Sequence, residues 1–393
     1  MSVQQKIKGM GMGKLARLPA IDMLHGFVIA LMALDHTRDY FGYTPFNVED
    51  LSATSPGWFW TRWITHLCAT TFVLLAGSSA FLRGHGAGIP ALSTYLATRG
   101  ALLILLEATW ISFSWQFGYA VIIFQVLWAL GAGMMFLALL VWLPRPAIGV
   151  IAALLIGTHN LFDGYNPGGL LWQAWHQGGF YPFKDAPLQG LVLAYPLMPW
   201  VGLMAAGYAL GPVFLWDSAR RRRFLLLASG AMLLAFLALR AFNLYGDPDP
   251  WSAQNRGIMF DLMSFARVHK YPPSLMYLLV TGSIGLALLA LFERLRENRV
   301  LALFGRTPMF FYLVHIALIH FLGNLYFDIR YGSGPDFSGG KVVWPGGYEH
   351  SLAVTYMAWV AMLALMYGLT LLWCRWRAGR APARYPQDAQ GSR

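Results

Sequence analysis

The chain has 393 residues, of which 57% are hydrophobic and only 12% charged, against roughly 25% charged residues in soluble domains. So few charges cannot coat a globule of 43.8 kDa with a mean hydropathy of +0.49, which excludes a soluble enzyme, a disordered chain and a fibrous repeat. The net charge of +11 invites nucleic acid as a partner, but the basic residues sit in short clusters between apolar stretches, so no nucleic-acid partner is expected. Cys68 and Cys374 lie too far apart in sequence to form a disulfide framework or a thiol metal site.

A helix needs about 20 mostly apolar residues to cross a bilayer, and ten stretches qualify in chain order. They run over 21–41, 63–82, 95–115, 121–143, 147–161, 188–214, 224–242, 273–291, 300–322 and 352–373. The fifth is the shortest, bounded by Pro146 and a polar run from Thr158 to Asp163. The first is not a cleavable signal, because it carries Asp22, His25, Asp35 and His36 and no small-residue cleavage site follows. The predicted fold class is an all-α, polytopic membrane helix bundle of about ten transmembrane helices. A basic segment over 1–20 precedes the membrane domain at 21–374, and a basic tail over 375–393 follows it.

Orientation follows from Lys and Arg in the connections. With the N-terminus in the cytoplasm, 20 of the 29 basic residues fall inside, among them Lys6, Lys8, Lys14, Arg17, the run Arg220–Arg223, Arg306, Arg380, Arg384 and Arg393. The outer side keeps Arg38, Arg62, Lys270, Lys341 and five others, together with acids such as Glu49 and Asp336. An even number of spans then places both termini in the cytoplasm. The expected location is the inner or plasma membrane, multi-pass, with membrane lipid as surroundings and a homo-oligomer as a candidate assembly. The outer loops near 43–62, 162–187, 243–272 and 327–350 are long and rich in Gly, Pro, Trp and Tyr, so binding or chemistry is expected at the outer face.

Ionisable side chains inside spans are costly and mark functional sites by default. His25 and His36 are eleven residues apart on the first helix, about 20° off one face at 100° per residue. His66 follows Arg62 by one turn at the start of the second span. Beyond it, the small residues between Thr70 and Ser79 suit close helix packing. Arg99 and Glu107 share a face and are expected to bridge to other helices. Gln125 and Trp128 are candidates to line a cavity, and His159, Asn160 and Asp163 to face the outer side. His315 and His320 stand about 140° apart on one helix and cannot meet at one metal. No set of ligands has metal spacing, so no catalytic metal is expected. Lys270, in Lys270-Tyr271-Pro272-Pro273, sits at a turn and is a candidate contact for an anionic group.

Several runs resemble those of a known family. They are Ile21-Asp22-Met23-Leu24-His25-Gly26 with Leu34-Asp35-His36-Thr37-Arg38-Asp39-Tyr40-Phe41, and Phe72-Val73-Leu74-Leu75-Ala76-Gly77. To these add Tyr195-Pro196-Leu197-Met198-Pro199-Trp200, Lys270-Tyr271-Pro272-Pro273-Ser274, and Phe304-Gly305-Arg306 with Phe311-Tyr312-Leu313-Val314-His315. Together they resemble the bacterial relatives of heparan-α-glucosaminide N-acetyltransferase. The wider transmembrane acyltransferase superfamily is similar in its first helix, where an Arg, ten residues and a His form a signature. His36 stands at the His position, and His25 replaces the Arg. The resemblance implies a membrane acetyltransferase that takes an acetyl group from cytoplasmic acetyl-CoA to a sugar hydroxyl or amine of a cell-envelope glycan. It implies catalytic roles for His36, as general base or acyl acceptor, with His66 and Asp35. His25 and Arg306 would meet the donor, and Arg62, Lys270 and His315 the acceptor. The alternative is a secondary transporter or lipid-linked glycan translocator, although the chain lacks the inverted repeat common in such proteins.

Overall fold

The computed structural model describes residues 18–184, 187–335 and 343–379. Lys6, Lys8, Lys14, Arg17, Arg380, Arg384 and Arg393 of the charge count, with Asp336 and Lys341, lie outside these residues. Helix α1 (Pro19–Phe41) opens the bundle, with Pro at its first helical position and Gly42 after its end, where a missing N–H and a missing side chain are tolerated. A short α2 (Pro56–Ile64) runs almost directly into α3 (Leu67–Ala87), and α4 (Ile89–Leu106) continues through a π-helical turn at Glu107–Ile111 into α5 (Ser112–Gln116). Then come α6 (Val126–Leu140), α7 (Arg145–Thr158), α8 (Leu197–Leu210), α9 (Ser218–Ala241), α10 (Ile258–Ala266) and α11 (Leu275–Phe292). The described chain closes with α12 (Arg299–Arg306), α13 (Pro308–Tyr331) and α14 (Leu352–Gly379).

Among the described residues, nine helical segments are long and apolar enough to cross a membrane, and α6 is a shorter apolar tenth. They follow the ten expected stretches in order, so the protein is an all-α, multi-pass membrane bundle. The spans divide into a centre and a ring. The apolar window of α1 is 78% buried, whereas those of the α4–α5 span, the α7 span and α14 are each 17% buried. Membrane helices in the ring leave apolar side chains facing outward, because lipid takes the place of a protein core. Helix α1 packs on α3, α11, α12, α13 and α14 and is the axis on which the rest is built.

Small residues set the closest approaches. A Cβ on Gly77 of α3 would overlap the carbonyl oxygen of Met204 in α8, and Ser78 Oγ donates to the Gly207 carbonyl at 3.0 Å. The small-residue run of the second span is therefore a packing surface, as its composition indicates. On α1 itself, Gly26 lies against the backbone of Leu301 in α12, and Gly305 against that of Asp22.

Three expected spans are reshaped. Residues 121–124, placed in the fourth span by their hydropathy, form strand β1 (Val121–Phe124). It pairs in parallel with β3 (Gly190–Leu193), which in turn pairs antiparallel with β2 (Gly179–Pro182). Val-Ile-Ile-Phe favours an extended chain as readily as a helix, and Phe117, in the left-handed region at φ 47°, has already ended α5. The sixth span accordingly starts at Leu197 rather than 188. The ninth is broken at Thr307-Pro308, where the proline starts α13 because it cannot continue the hydrogen bonding of α12.

Candidate functional site

The last two turns of α1 carry Asp35, His36, Arg38 and Asp39. Neighbouring positions on a helix point about 100° apart, so Asp35 and His36 face different helices. Asp35 is the hub of an ionic cluster. Both of its oxygens accept from Arg62 Nη1 at 2.7 Å, and Thr65 Oγ1 donates to it at 3.0 Å. Arg38 Nη1 lies 2.9 Å away and Lys270 Nζ 3.8 Å away. Arg38 also pairs with Asp39 at 2.7 Å, and Arg62 with Glu49 at 3.4 Å. Three cations and three acids thus neutralise one another, the condition on which buried charge is tolerated.

Lys270 is held there by its loop. Asp247 accepts the His269 backbone N–H at 3.0 Å and the Ser274 hydroxyl at 2.7 Å, and Lys270 bridges to Pro273. His159 and Asn160, expected to face the outer side, brace this outer segment. His159 Nε2 lies 2.8 Å from the Pro273 carbonyl, and the Asn160 side-chain oxygen accepts the Leu275 N–H at 2.9 Å.

His36 turns toward α13. Its Nδ1 lies 2.8 Å from His315 Nε2, the two rings lie nearly parallel with centroids 5.0 Å apart, and Trp115 meets the His36 ring edge-on at 5.1 Å. His320, on another face of α13, lies 2.9 Å from the Ser114 carbonyl, in line with the angular separation of the two histidines. A cavity of about 370 Å³, its open mouth included, lies against His36. Asp35, Gln125, Tyr195, Lys270 and Tyr312 line it, with Cys68 and Phe72. Each of the five groups of runs that carried the family resemblance therefore supplies a wall residue, the last through Tyr312 just ahead of His315. Gln125 lines the cavity as expected, whereas Trp128 donates its ring N–H to the Tyr195 carbonyl at 3.1 Å.

The other candidates lie apart from this cavity. His66 is buried and lines a neighbouring, smaller space with Glu49, Arg62 and Arg267; its Nε2 is 3.2 Å from Glu49. Arg62 links the two spaces through its pair with Asp35. His25 stacks on Phe72 at 6.1 Å, so it touches the back of a cavity-lining ring. Arg306 binds Asp22 at 3.0 Å and also pairs with Glu297, about 21 Å from His36 along α1 at 1.5 Å per residue. Glu107 does bridge helices, through the backbone: it accepts the Trp128 N–H at 2.9 Å and caps α6. Tyr195, Tyr312, Arg38 and Glu49 were not singled out as site residues in the sequence. The available signal was that both tyrosines stand inside the family-like runs.

Glu49 lies in the loop between α1 and α2. Burial by itself pushes its carboxyl up, but the hydrogen bond with His66 and the charge of Arg62 outweigh this and hold it well below the usual carboxylate range. A carboxyl depressed in the folded state stabilises the fold above its unfolded pKa of about 4.3, and that contribution is lost as the pH falls toward the folded value. Glu49→Gln is expected to flatten the loss of thermal stability in detergent below about pH 4. An acid limb as steep as that of the wild type would show that this cluster does not drive it.

No curated protein matches the chain. The profile of the family described as heparan-alpha-glucosaminide N-acetyltransferase, catalytic, matches residues 17–245. That segment is more than half of the chain and contains Asp35, His36, Arg62, His66 and Tyr195, while Lys270, Tyr312 and His315 lie beyond it. A polytopic bundle with a polar cavity at its central helix and this match over its first part has one family assignment: the chain belongs to the heparan-alpha-glucosaminide N-acetyltransferase catalytic family of membrane acetyltransferases.

Proposed function

We propose that the protein transfers an acetyl group from acetyl-CoA to a hydroxyl or amine of a cell-envelope sugar, with His36 as the general base. The observation that carries this reading is the His36 ring, held by His315 on one edge and lining a cavity that also contains Lys270, Tyr195 and Tyr312. An uncharged imidazole with one bare nitrogen can take the proton of a sugar hydroxyl or amine. His36 takes that proton as the acceptor oxygen or nitrogen bonds to the acetyl carbon and the carbon–sulfur bond breaks. The proton then passes to the departing thiolate, leaving free CoA. The Lys270 ammonium sits where it favours negative charge on the carbonyl oxygen, while Asp35 keeps Lys270 and Arg62 in place.

The cavity offers about 30 Å³ to a water-sized sphere, far below the roughly 300–1,000 Å³ of ligand pockets, so an acetylated thiol and a sugar enter it only as the surrounding helices part. Arg306 already serves Asp22 and Glu297, so a CoA phosphate there would have to share it with two carboxylates.

The test is labelled acetyl-CoA supplied to inside-out inner-membrane vesicles containing the protein. Acetyl incorporation into envelope glycan is expected, and His36→Ala should lower it roughly 10²- to 10⁴-fold, the usual contribution of a general base, with the thermal transition unchanged. Undiminished transfer in that variant removes His36 from the role. Solute movement without acetyl consumption would favour the transporter instead.

A further inference from the structure

The hydrogen-bond pattern around His315 points to a role for that residue: it fixes which nitrogen of His36 is the base. His315 Nδ1 lies 2.9 Å from the carbonyl oxygens of both Phe311 and Tyr312. Carbonyl oxygens only accept, so Nδ1 carries the proton. In a neutral imidazole the other nitrogen is then bare, and His315 Nε2 is the atom 2.8 Å from His36 Nδ1. That contact is a hydrogen bond only if His36 Nδ1 donates it. His36 is thereby held as the Nδ1–H tautomer, with Nε2 as its bare, basic nitrogen. Doubly protonated His315 would reverse the contact, but it would place a charge on a fully buried ring whose hydrogen-bonding partners include no carboxylate, which is costly.

The arrangement is a relay of orientation from backbone to base. The helical carbonyls of α13 set His315, and His315 sets His36. When His36 Nε2 takes a proton, its Nδ1–H bond to His315 becomes charge-assisted and strengthens, so the imidazolium is stabilised where it forms. A ring free to choose its tautomer would spend part of its time with Nε2 protonated and useless as a base. His315 is in this sense a positioning residue that acts through His36. The inference rests on the acetyltransferase reading for its purpose, though not for its geometry.

The tautomer can be read without turnover. In ¹⁵N-histidine-labelled full-length protein in nanodiscs, with the His36 signals identified by their loss in His36→Gln, Nδ1 is expected to be protonated and Nε2 bare. His315→Gln places an amide oxygen near the position of Nε2 and should keep this pattern and most acetyl transfer. His315→Phe removes the acceptor; His36 should then populate both tautomers, with transfer falling about 10- to 100-fold, as when other orienting partners of histidine are lost. Nε2 protonated in the wild type, or a tautomer unmoved by His315→Phe, overturns the inference. A His36 held as Nδ1–H in a protein that transfers no acetyl group would uphold it while removing the transferase reading.

Discussion

Asp35→Ala is expected to destabilise the protein by about 3–5 kcal/mol, the cost of removing one partner from a buried ionic group. The size follows from what is left behind. Arg38 keeps Asp39 at 2.7 Å and Arg62 keeps Glu49 at 3.4 Å. Lys270, however, is 5% exposed, and among the described residues the carboxylate it pairs with is Asp35. An ammonium stranded at such a point must be hydrated by opening the bundle or must lose its proton, and both cost stability. Adding Lys270→Ala to Asp35→Ala should therefore recover part of the loss, a coupling that a double-mutant cycle on thermal unfolding in detergent measures directly. If the two losses simply add, Asp35 does not act through Lys270. Asp35→Ala with the stability of the wild type would mean that the cluster is hydrated already.

Gly26→Ala and Gly305→Ala should each cost about 3 kcal/mol, the upper end for overpacking, although each adds one methyl group. On Gly26 the new carbon would lie 2.6 Å from the carbonyl carbon of Leu301 and overlap its oxygen; on Gly305 it would overlap the oxygen of Asp22. These are backbone atoms, which cannot rotate away as a side chain would. Helix α12 would have to lift from α1 and draw Arg306 away from Asp22. Gly86→Ala is the contrast, since nothing lies within 4 Å of its Cβ position. There the same substitution should be neutral or gain about 0.4–1 kcal/mol through the unfolded chain. Equal melting temperatures for Gly26→Ala and Gly86→Ala would show that α12 does not sit this close to α1.

Much of the fold was legible in the sequence because the bilayer imposes a length and a polarity on each span. That constraint acts on one segment at a time, so hydropathy places α1, α9 or α14 with no knowledge of their neighbours. It fails where apolar residues are not helical. The run Val121–Phe124 is extended because its backbone pairs with Gly190–Leu193, a partner far along the chain, and hydropathy does not encode pairing. The break at Thr307-Pro308 was legible in principle from the proline, but a continuous apolar window passes across it.

The site divides in a similar way. Asp35, His36 and His66 stand out in the sequence because an ionisable group in a membrane span needs a reason. What the sequence does not carry is where each ring points: His36 turns to His315 and His66 to Glu49, on different cavities. Arg38 and Glu49 looked like outer-loop charges and instead complete the balance around Asp35 and Arg62.

Composition and spacing alone establish a membrane bundle of about ten helices, its packing stripe of small residues, and the concentration of ionisable groups on the first helix. Each of these follows from local chemistry set against a slab of lipid. The folded arrangement adds the pairings: His36 with His315 across 279 residues, Lys270 with Asp35, and Tyr195 and Tyr312 on one cavity. Those depend on how ridges and small residues let helices approach one another, a property of two surfaces together that neither segment carries alone.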